Sequence, residues 1–293
     1  MVKKILLINC GIHEKNKQGL VRILKYLKIE YKTGSVADIP SYDIIYSPSE
    51  IINTSLYPHK QFIFGPHFST FPNGSQLHLL QNVHYNSIYI QPSDWVIQLW
   101  KNMGAAQVLH LKPFPFPIDT EKFKPRDQAD IKREKTNVLV YYKHRHPHEL
   151  DLLKAFLAEQ TVKNYRIFDY KQRYKEEEYL SYLQECNYGI ILDAHESQGF
   201  AIEEALACNV PLLVWNAQTM SQEYGANYKA IPCTSIPYWS EHCGEYFHHY
   251  AELPAVFELF QRKLQGQNYA PRQYIVDNLS TEKCAERFME LII

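Results

Sequence analysis

The chain has 293 residues, with 31 Lys and Arg against 32 Asp and Glu and a net charge of −1. Hydrophobic residues make up 45% and charged residues 22%. These are ordinary proportions for a soluble globular protein and exclude disorder and collagen-like structure, while the lack of a basic excess argues against nucleic-acid binding.

The length fits two domains of about 120–150 residues each better than one core. The start, MVKKILLINCG, has a basic flank, but its apolar run covers only residues 5–8, too short for a secretory signal. No window reaches the roughly 18–20 apolar residues of a membrane helix. The six cysteines form no C-x2–4-C pair, which argues against a zinc site. The expectation is a soluble, cytoplasmic protein without a transmembrane segment.

Strand and helix signals alternate along the chain. Residues 3–9 form a short apolar run ending at Cys10-Gly11, as a buried parallel strand does. Residues 18–27 carry Leu20, Ile23, Leu24 and Leu27 at helical spacing. Residues 42–47, 60–65 and 87–90 read as further strands. Ser93 is placed to cap a helix running to about Met103, with Gly104 as its stop. Residues 111–135 contain four prolines and then a charged stretch, the composition of an inter-domain connection. A second series follows: strands at 137–142, 165–170, 188–194 and 211–215, helices at 148–157, 176–185 and 200–208, and a last helix capped by Ser280 and ending near Ile292. The pattern predicts an α/β protein of two Rossmann-like, doubly wound domains facing across a cleft. They span residues 1–112 and 137–293, joined by a linker at 113–136, with the final helix able to pack back on the N-terminal domain. Ligands of such sheets bind at the carboxyl ends of the strands.

The stretch HESQGFAIEEALACNVPLLVW, residues 195–215, is the most informative. Glu196 ends a strand, Ser197-Gln198-Gly199 makes a polar turn, and a helix starts near Phe200. Unpaired N–H groups at a helix start form an anion site, and Gly199 lets a ligand approach the backbone closely. Ile202, Ala205 and Leu206 share the core face, and Glu204 points nearly opposite among Phe200, Ala201 and Cys208. Two carboxylates thus flank one anion-binding helix start, an arrangement that can hold sugar hydroxyls while amides hold phosphates. The alternative is an inter-domain salt bridge from Glu204 and a helix-preceding acid at Glu196.

Glu196-x7-Glu204, followed by Ala205, small residues, Pro211 and an apolar strand, resembles the donor-site motif of retaining family 4 glycosyltransferases of the GT-B fold. Asn209 replaces the usual Gly there. Residues 115–125, PFPIDTEKFKP, resemble that family's inter-domain linker, and residues 90–104 resemble the strand and helix before it. The resemblance covers most of residues 88–293. It implies that Glu196 meets donor-sugar hydroxyls, that Glu204 meets the nucleotide ribose, and that the backbone of Ser197, Gly199, Phe200 and Ala201 meets sugar and phosphates. It implies that Lys143 binds the donor diphosphate. His148 stands where the family has a second Lys, and Arg145, which can hold phosphate in bidentate fashion, is the expected substitute. His67 matches a His that the family presents to the donor sugar, or else is a structural loop His. Gly11 either approaches the ligand closely or makes a tight turn. Tyr170 and Tyr174 either stack on the base or pack in the protein. Asp193 and His195 can also line the cleft, and Asp193 forms no D-x-D pair, so no metal role is expected.

The implied activity is transfer of a sugar from a nucleoside-diphosphate sugar to a glycan or small-molecule acceptor with retention, using no cofactor. A sugar-nucleotide epimerase is the first rival and would need acid/base carboxylates in the first domain, for which Glu14, Asp43 and Glu50 are available. A non-catalytic nucleotide-sugar-binding protein is the second.

Overall fold

The computed structural model describes residues 4–67, 69–71, 86–105, 110–126 and 136–292. Phe68 and Pro72 of the His67 segment and residues 127–135 of the expected linker lie outside them. The chain divides into two compact units, Met1–Pro117 with Leu279–Ile293, and Ile118–Asn278.

The first unit holds β1 (Ile5–Ile8), α1 (Glu14–Tyr26), β2 (Tyr31–Gly34), β3 (Ile44–Ser47), β4 (Gln61–Phe64), β5 (Ser87–Gln91), α2 (Asp94–Asn102) and β6 (Leu111–Pro113). Its parallel sheet runs in the order β2-β1-β3-β4-β5-β6. The central strands are largely apolar, and Ile5, Leu6, Ile44, Ile45, Phe62 and Ile63 are all buried. That run without alternation follows from a sheet covered on both faces. Leu20, Ile23 and Leu24 of α1 are buried. The last helix, α8 (Thr281–Leu291), returns to pack against α1. Arg22 Nη2 donates to Pro117 O at 2.7 Å, and Phe114 meets Phe288 edge-on at 6.0 Å. The proline-rich segment is therefore packed structure up to Pro117.

The second unit holds β7 (Asn137–Lys143), α3 (Pro147–Glu159), β8 (Tyr165–Asp169), α4 (Glu176–Leu183), β9 (Cys186–Asp193), α5 (Phe200–Ala207), β10 (Leu212–Trp215), β11 (Gly244–Phe247), α6 (Leu253–Gln265) and α7 (Pro271–Leu279). Its sheet is parallel in the order β11-β10-β9-β7-β8. One face packs on α3 and α6, with Phe156 against Phe257 at 5.2 Å. On the other, Tyr179 of α4 meets Phe168 and Tyr141. Arg272 of α7 ties the entry segment down, donating to Thr120 O, Phe123 O and Ala207 O at 3.1, 3.0 and 2.8 Å.

Two expected caps differ in outcome. Ser280 Oγ accepts from Lys283 N at 3.3 Å, as a cap should. Ser93 has the extended backbone of a cap, but its hydroxyl is buried and makes no capping bond. Asn209 ends α5 at φ 59°, the left-handed conformation that asparagine tolerates.

Gly244 opens β11 at φ 142°, and a Cβ there would lie 1.8 Å from Leu212 O. Strain and overpacking at such a site each cost about 1–3 kcal/mol. Gly244→Ala is expected to lower the unfolding free energy by roughly 2–5 kcal/mol, measured by urea denaturation. A loss under about 0.5 kcal/mol, the ordinary surface range, would show that β11 moves aside freely.

Candidate functional site

In the second unit β7 lies between β8 and β9, so the chain reverses its direction of sheet growth at the β7/β9 pair. Strand ends at such a switch point leave a crevice outside the carboxyl edge. Lys143 and Asp193 are register partners there. Ala194, His195 and Glu196 continue β9 over the edge. Gly199 starts α5 at φ 94°, in the left-handed region that favours glycine. The loop after β10 buttresses this turn. Ser235 Oγ donates to Asp193 O at 2.8 Å, and Glu196 N donates to Thr234 O at 3.1 Å.

Lys143 Nζ pairs with Glu196 Oε1, with side chains 18% and 16% exposed. Burial is the largest influence on Glu196 and opposes its charge, but Lys143, Asp193 and His195 together hold the carboxylate below its usual range. Burial likewise opposes charge on Lys143, and Glu196 and Asp193 overcome it, keeping the ammonium protonated above its ordinary range. Asp193 is fully buried. Burial pushes it well above the carboxylate range despite Lys143, with Glu196 adding to the shift. Its Oδ1 accepts from Ala194 N at 2.7 Å. At this edge Lys143 and Glu196 hold each other charged, and burial shifts Asp193 toward its protonated form. Lys143 Nζ also lies 4.9 Å from the centre of the Tyr170 ring.

Arg145 does not take the expected place. Its side chain is 0% exposed and forks onto Glu149, with Nε to Oε2 at 2.9 Å and Nη2 to Oε1 at 2.6 Å. Its Nη1 donates to Asp193 O at 3.2 Å and Trp215 O at 3.0 Å. The bidentate geometry is used, but on a carboxylate inside the fold, so the guanidinium is not offered to a phosphate.

Glu204 is 4% exposed, and α5 is buried from Ile202 to Ala207 on both faces. Its charge reaches Tyr174, whose hydroxyl burial chiefly pushes up to about 12. Tyr174 packs on Phe168 and Tyr179 at 5.1 Å each, whereas Tyr170 is 49% exposed. Of the two, Tyr170 alone presents a largely open ring. Ser197, Phe200 and Ala201 are half-buried at the start of α5, and Ala201 O accepts from Tyr179 OH at 2.9 Å.

In the first unit His67 has both ring nitrogens engaged, Nδ1 with Tyr89 OH at 2.7 Å and Nε2 with Phe71 O at 2.9 Å. A carbonyl can only accept, so Nε2 carries the proton. Burial lowers the pKa of the ring. Gly11 is exposed, and its carbonyl accepts from Ser49 Oγ. A cavity of about 600 Å³ lies at the ends of β1 and β2, lined by Asn9, Lys32, Thr33, Ser35, Asp38 and Glu50 among others. Asp43 and Glu50 flank β3 at opposite ends, and Glu14 accepts from Gln18 on α1. The three carboxylates do not converge.

Two groups at the crevice escaped the sequence reading. Glu223 sits between two imidazoles, with His144 Nδ1 at 3.0 Å and His195 Nδ1 at 3.1 Å. Gln198 Nε2 donates to buried Glu203 at 3.0 Å. Glu223 lies in a long irregular segment whose sequence shows no period, so only its charge could have drawn notice. Among the described residues no group of three or more His, Cys, Asp or Glu is arranged to hold a metal ion, and no helix is long and apolar enough to cross a membrane.

Breaking a buried ion pair costs about 3–5 kcal/mol. Arg145→Met is expected to destabilise the protein by that amount, and Arg145→Lys by less, because one ammonium cannot serve Glu149 and two carbonyls together. Urea midpoints measure both; equal stability of all three proteins would remove Arg145 from the framework. Asp193 gives a pH signature. Its pKa is raised on folding, so the wild type keeps its full stability below the unfolded value near 3.8 and loses it as pH climbs toward the folded value. Asp193→Asn should therefore gain on the wild type above pH 3.8 by up to about 1.4 kcal/mol per pH unit, and a difference constant with pH would show that Asp193 is ionised in the fold.

No family model matches the chain, and no curated protein matches it. Solved structures do. Sucrose-phosphate synthase from Thermosynechococcus elongatus has a TM-score of 0.59 at 12% identity, covering 99% of this chain and 98% of that one. The N-terminal domain of Candida albicans trehalose-6-phosphate phosphatase has a TM-score of 0.64 at 9% identity, covering 100% and 97%. The catalytic domain of starch synthase IV from Arabidopsis thaliana, bound to ADP and acarbose, has a TM-score of 0.50 at 10% identity, covering 96% and 78%. With its two parallel-sheet α/β units, the chain has the two-domain, Rossmann-like GT-B fold.

Proposed function

We propose that the protein is a glycosyltransferase that moves a sugar from a nucleoside-diphosphate sugar to a glycan or small-molecule acceptor with retention of configuration. The observation that carries this reading is the half-buried Lys143–Glu196 pair beside the start of α5, at the switch-point edge of the second sheet. Sucrose-phosphate synthase and an ADP-bound starch synthase share the fold, which supports a donor of this class.

In this reading the diphosphate lies against Lys143 and the first N–H groups of α5, where the helix dipole favours negative charge. Those groups stabilise the charge that grows on the leaving diphosphate. Glu196 orients the transferred sugar and Glu204 the ribose, while the exposed Tyr170 ring offers a face to the base. The diphosphate must replace Glu196 as partner of Lys143, which leaves Glu196 to sugar hydroxyls. The charge partner of the diphosphate is thus a lysine, and the scheme uses no metal ion or cofactor. The first unit would hold the acceptor, and its polar cavity suits a hydroxylated ligand. The epimerase reading is weaker because Glu14, Asp43 and Glu50 do not meet.

The test is incubation with nucleoside-diphosphate sugars, with and without acceptors, following diphosphate release and the anomeric configuration of the product. Donor change without acceptor would indicate an epimerase, and binding without turnover a non-catalytic protein. Glu204→Ala should weaken nucleoside-diphosphate binding by about 1.5–3 kcal/mol, the range for a charged hydrogen bond. Glu196→Gln should lower turnover while nucleoside-diphosphate affinity stays level or rises, since Lys143 loses its resident partner. Equal losses in both measurements for both variants would show that the sugar and ribose are misplaced.

A further inference from the structure

We propose that the cavity at the carboxyl edge of the first sheet binds a sugar carrying a protonated amine, with Glu50 as the partner of the ammonium. As a statement about the acceptor this rests on the glycosyltransferase reading above; as a statement about the cavity it stands on the first unit alone. The place follows from topology. β1 lies between β2 and β3, so the first sheet has its switch point at the β1/β3 pair, as the second has at β7/β9. Ligands of open parallel sheets bind outside the strand ends at such a point. The cavity of about 600 Å³ is bounded there by Ile8 and Asn9 at the end of β1, by Lys32 to Asp38 at and after the end of β2, and by Glu50 after β3. That volume falls within the range of roughly 300–1,000 Å³ usual for small-molecule sites.

Hydrogen bonds hold the walls in place. Asn9 N donates to Gly34 O at 2.8 Å and ties the end of β1 to the end of β2. Ser35 N and Oγ donate to Asp38 Oδ2 at 2.9 and 3.3 Å, and Lys32 Nζ donates to Asp38 Oδ1 at 3.4 Å. On the other side, the buried Ser47 Oγ donates to Glu50 O at 2.5 Å, and Ser49 Oγ donates to Gly11 O. The turn after β3, which carries Glu50, is thus held against the turn after β1.

The lining selects the ligand by charge. Its charged side chains are Lys32, Asp38 and Glu50. Lys32 and Asp38 are paired with each other, and Asp38 is further engaged by Ser35. One net negative charge is left, that of Glu50, which has no ion pair among the described residues. The side chains of Asn9 and Thr33 also line the cavity and make no hydrogen bond among the described residues. An amide and a hydroxyl are therefore ready for sugar hydroxyls, and a carboxylate for a cation. A neutral sugar would leave Glu50 to water. A sugar phosphate would bring a like charge to Glu50 while Lys32 is already engaged. An ammonium gives the carboxylate a charged hydrogen bond, about twice as strong as a neutral one. Asn9, Thr33 and Glu50 are all exposed, so the ligand has no resident partner to displace.

The experiment is an amide-shift NMR titration of the full chain at about pH 6.5, where an amine of ordinary basicity is protonated. The probes are glucosamine, N-acetylglucosamine, glucose and glucose 6-phosphate. Glucosamine is expected to move the signals of Asn9, Thr33, Ser35 and Glu50 saturably and to bind about three- to tenfold tighter than glucose or N-acetylglucosamine. Glucose 6-phosphate should bind most weakly. Glu50→Gln should bring glucosamine down to the affinity of glucose and leave glucose itself within about twofold, with an unchanged thermal midpoint as the folding control. Equal binding of glucosamine and glucose by the wild type overturns the proposal, as does a preference that survives in Glu50→Gln, tighter binding of glucose 6-phosphate, or no saturable shift at the cavity with any probe. Should Glu50→Gln fail to fold, glucosamine against its N-acetyl form decides, since acetylation removes the charge and keeps the ring. UDP and ADP are titrated into the same samples. Nucleotide shifts at Lys143 and Ala194 with none at the cavity from glucosamine sink this inference and leave the transferase reading standing. The reverse sinks that reading and leaves the cavity as an amine-sugar site.

Discussion

Burying a guanidinium costs several kcal/mol unless every donor finds a partner. Arg145 engages all three of its guanidinium nitrogens by drawing four parts of the second unit to one point. Glu149 comes from α3, Asp193 O from the end of β9, Trp215 O from the end of β10, and Arg145 itself follows β7. Its plane also lies 5.4 Å over the Trp215 ring. Three adjacent strand ends are therefore fixed to one another by a single side chain. Everything that follows those strands inherits the constraint, including the Lys143–Glu196 pair, the turn into α5 and the loop that carries Glu223. A strand end in a parallel sheet is otherwise free to fray, because its last carbonyls have no ladder partner beyond the edge.

How much of this was legible depends on where each element lies. The central strands announce themselves as apolar runs, since a parallel sheet is buried on both faces. The strands that the sequence reading missed are β2, β6 and β11, and all three are sheet edges. β2 is YKTG, without a buried position, and an edge strand of three or four residues has too few buried positions to leave a pattern. Helices α6 and α7 were missed for a different reason. They follow a stretch from residue 216 to 243 with almost no regular structure, which offers no frame in which to phase them. At the site, Glu196, Gly199 and Glu204 stood out because a polar turn followed by a small-residue helix is a local pattern. Arg145 was misread because spacing shows which residues lie near a strand end but not whether each side chain turns inward or outward. Glu223 is brought to His144 and His195 across 79 and 28 positions, and no local pattern records a contact of that kind.

The charges at the carboxyl edge of the second sheet form a system at rest. The half-buried ammonium of Lys143 and carboxylate of Glu196 each lose much of their hydration, and each is tolerable because the other is present. Burial shifts Asp193 beside them toward its protonated form. Such a site stores the cost of desolvation in the protein before any ligand arrives. An anion entering beside Lys143 need not strip water from it, and it exchanges one negative partner for another. The carboxylate that is displaced is then a strong acceptor in a nearly dry place, where hydroxyl donors are its natural partners.

The two sheets share the order of their first five strands, with a sixth added in the first unit, but differ in what stands at their carboxyl ends. In the second unit the edge is packed: Arg145, Asp193, Gln198, Glu203 and Ser235 are all buried there or beside it. In the first the corresponding edge leaves a cavity of about 600 Å³, and two of its charged lining residues, Lys32 and Asp38, pair at 3.4 Å near the surface. Packed, desolvated charge makes electrostatic interactions strong and geometry fixed, which suits groups that must respond to charge developing on a substrate. An open polar hollow suits a hydroxylated ligand that must be held and released without chemistry on the protein. The same strand-helix framework thus supports two kinds of edge, and the difference arises from a handful of side chains. A buried arginine and its carbonyl partners close one edge, while two half-exposed residues on a short edge strand and the turn after it leave the other open.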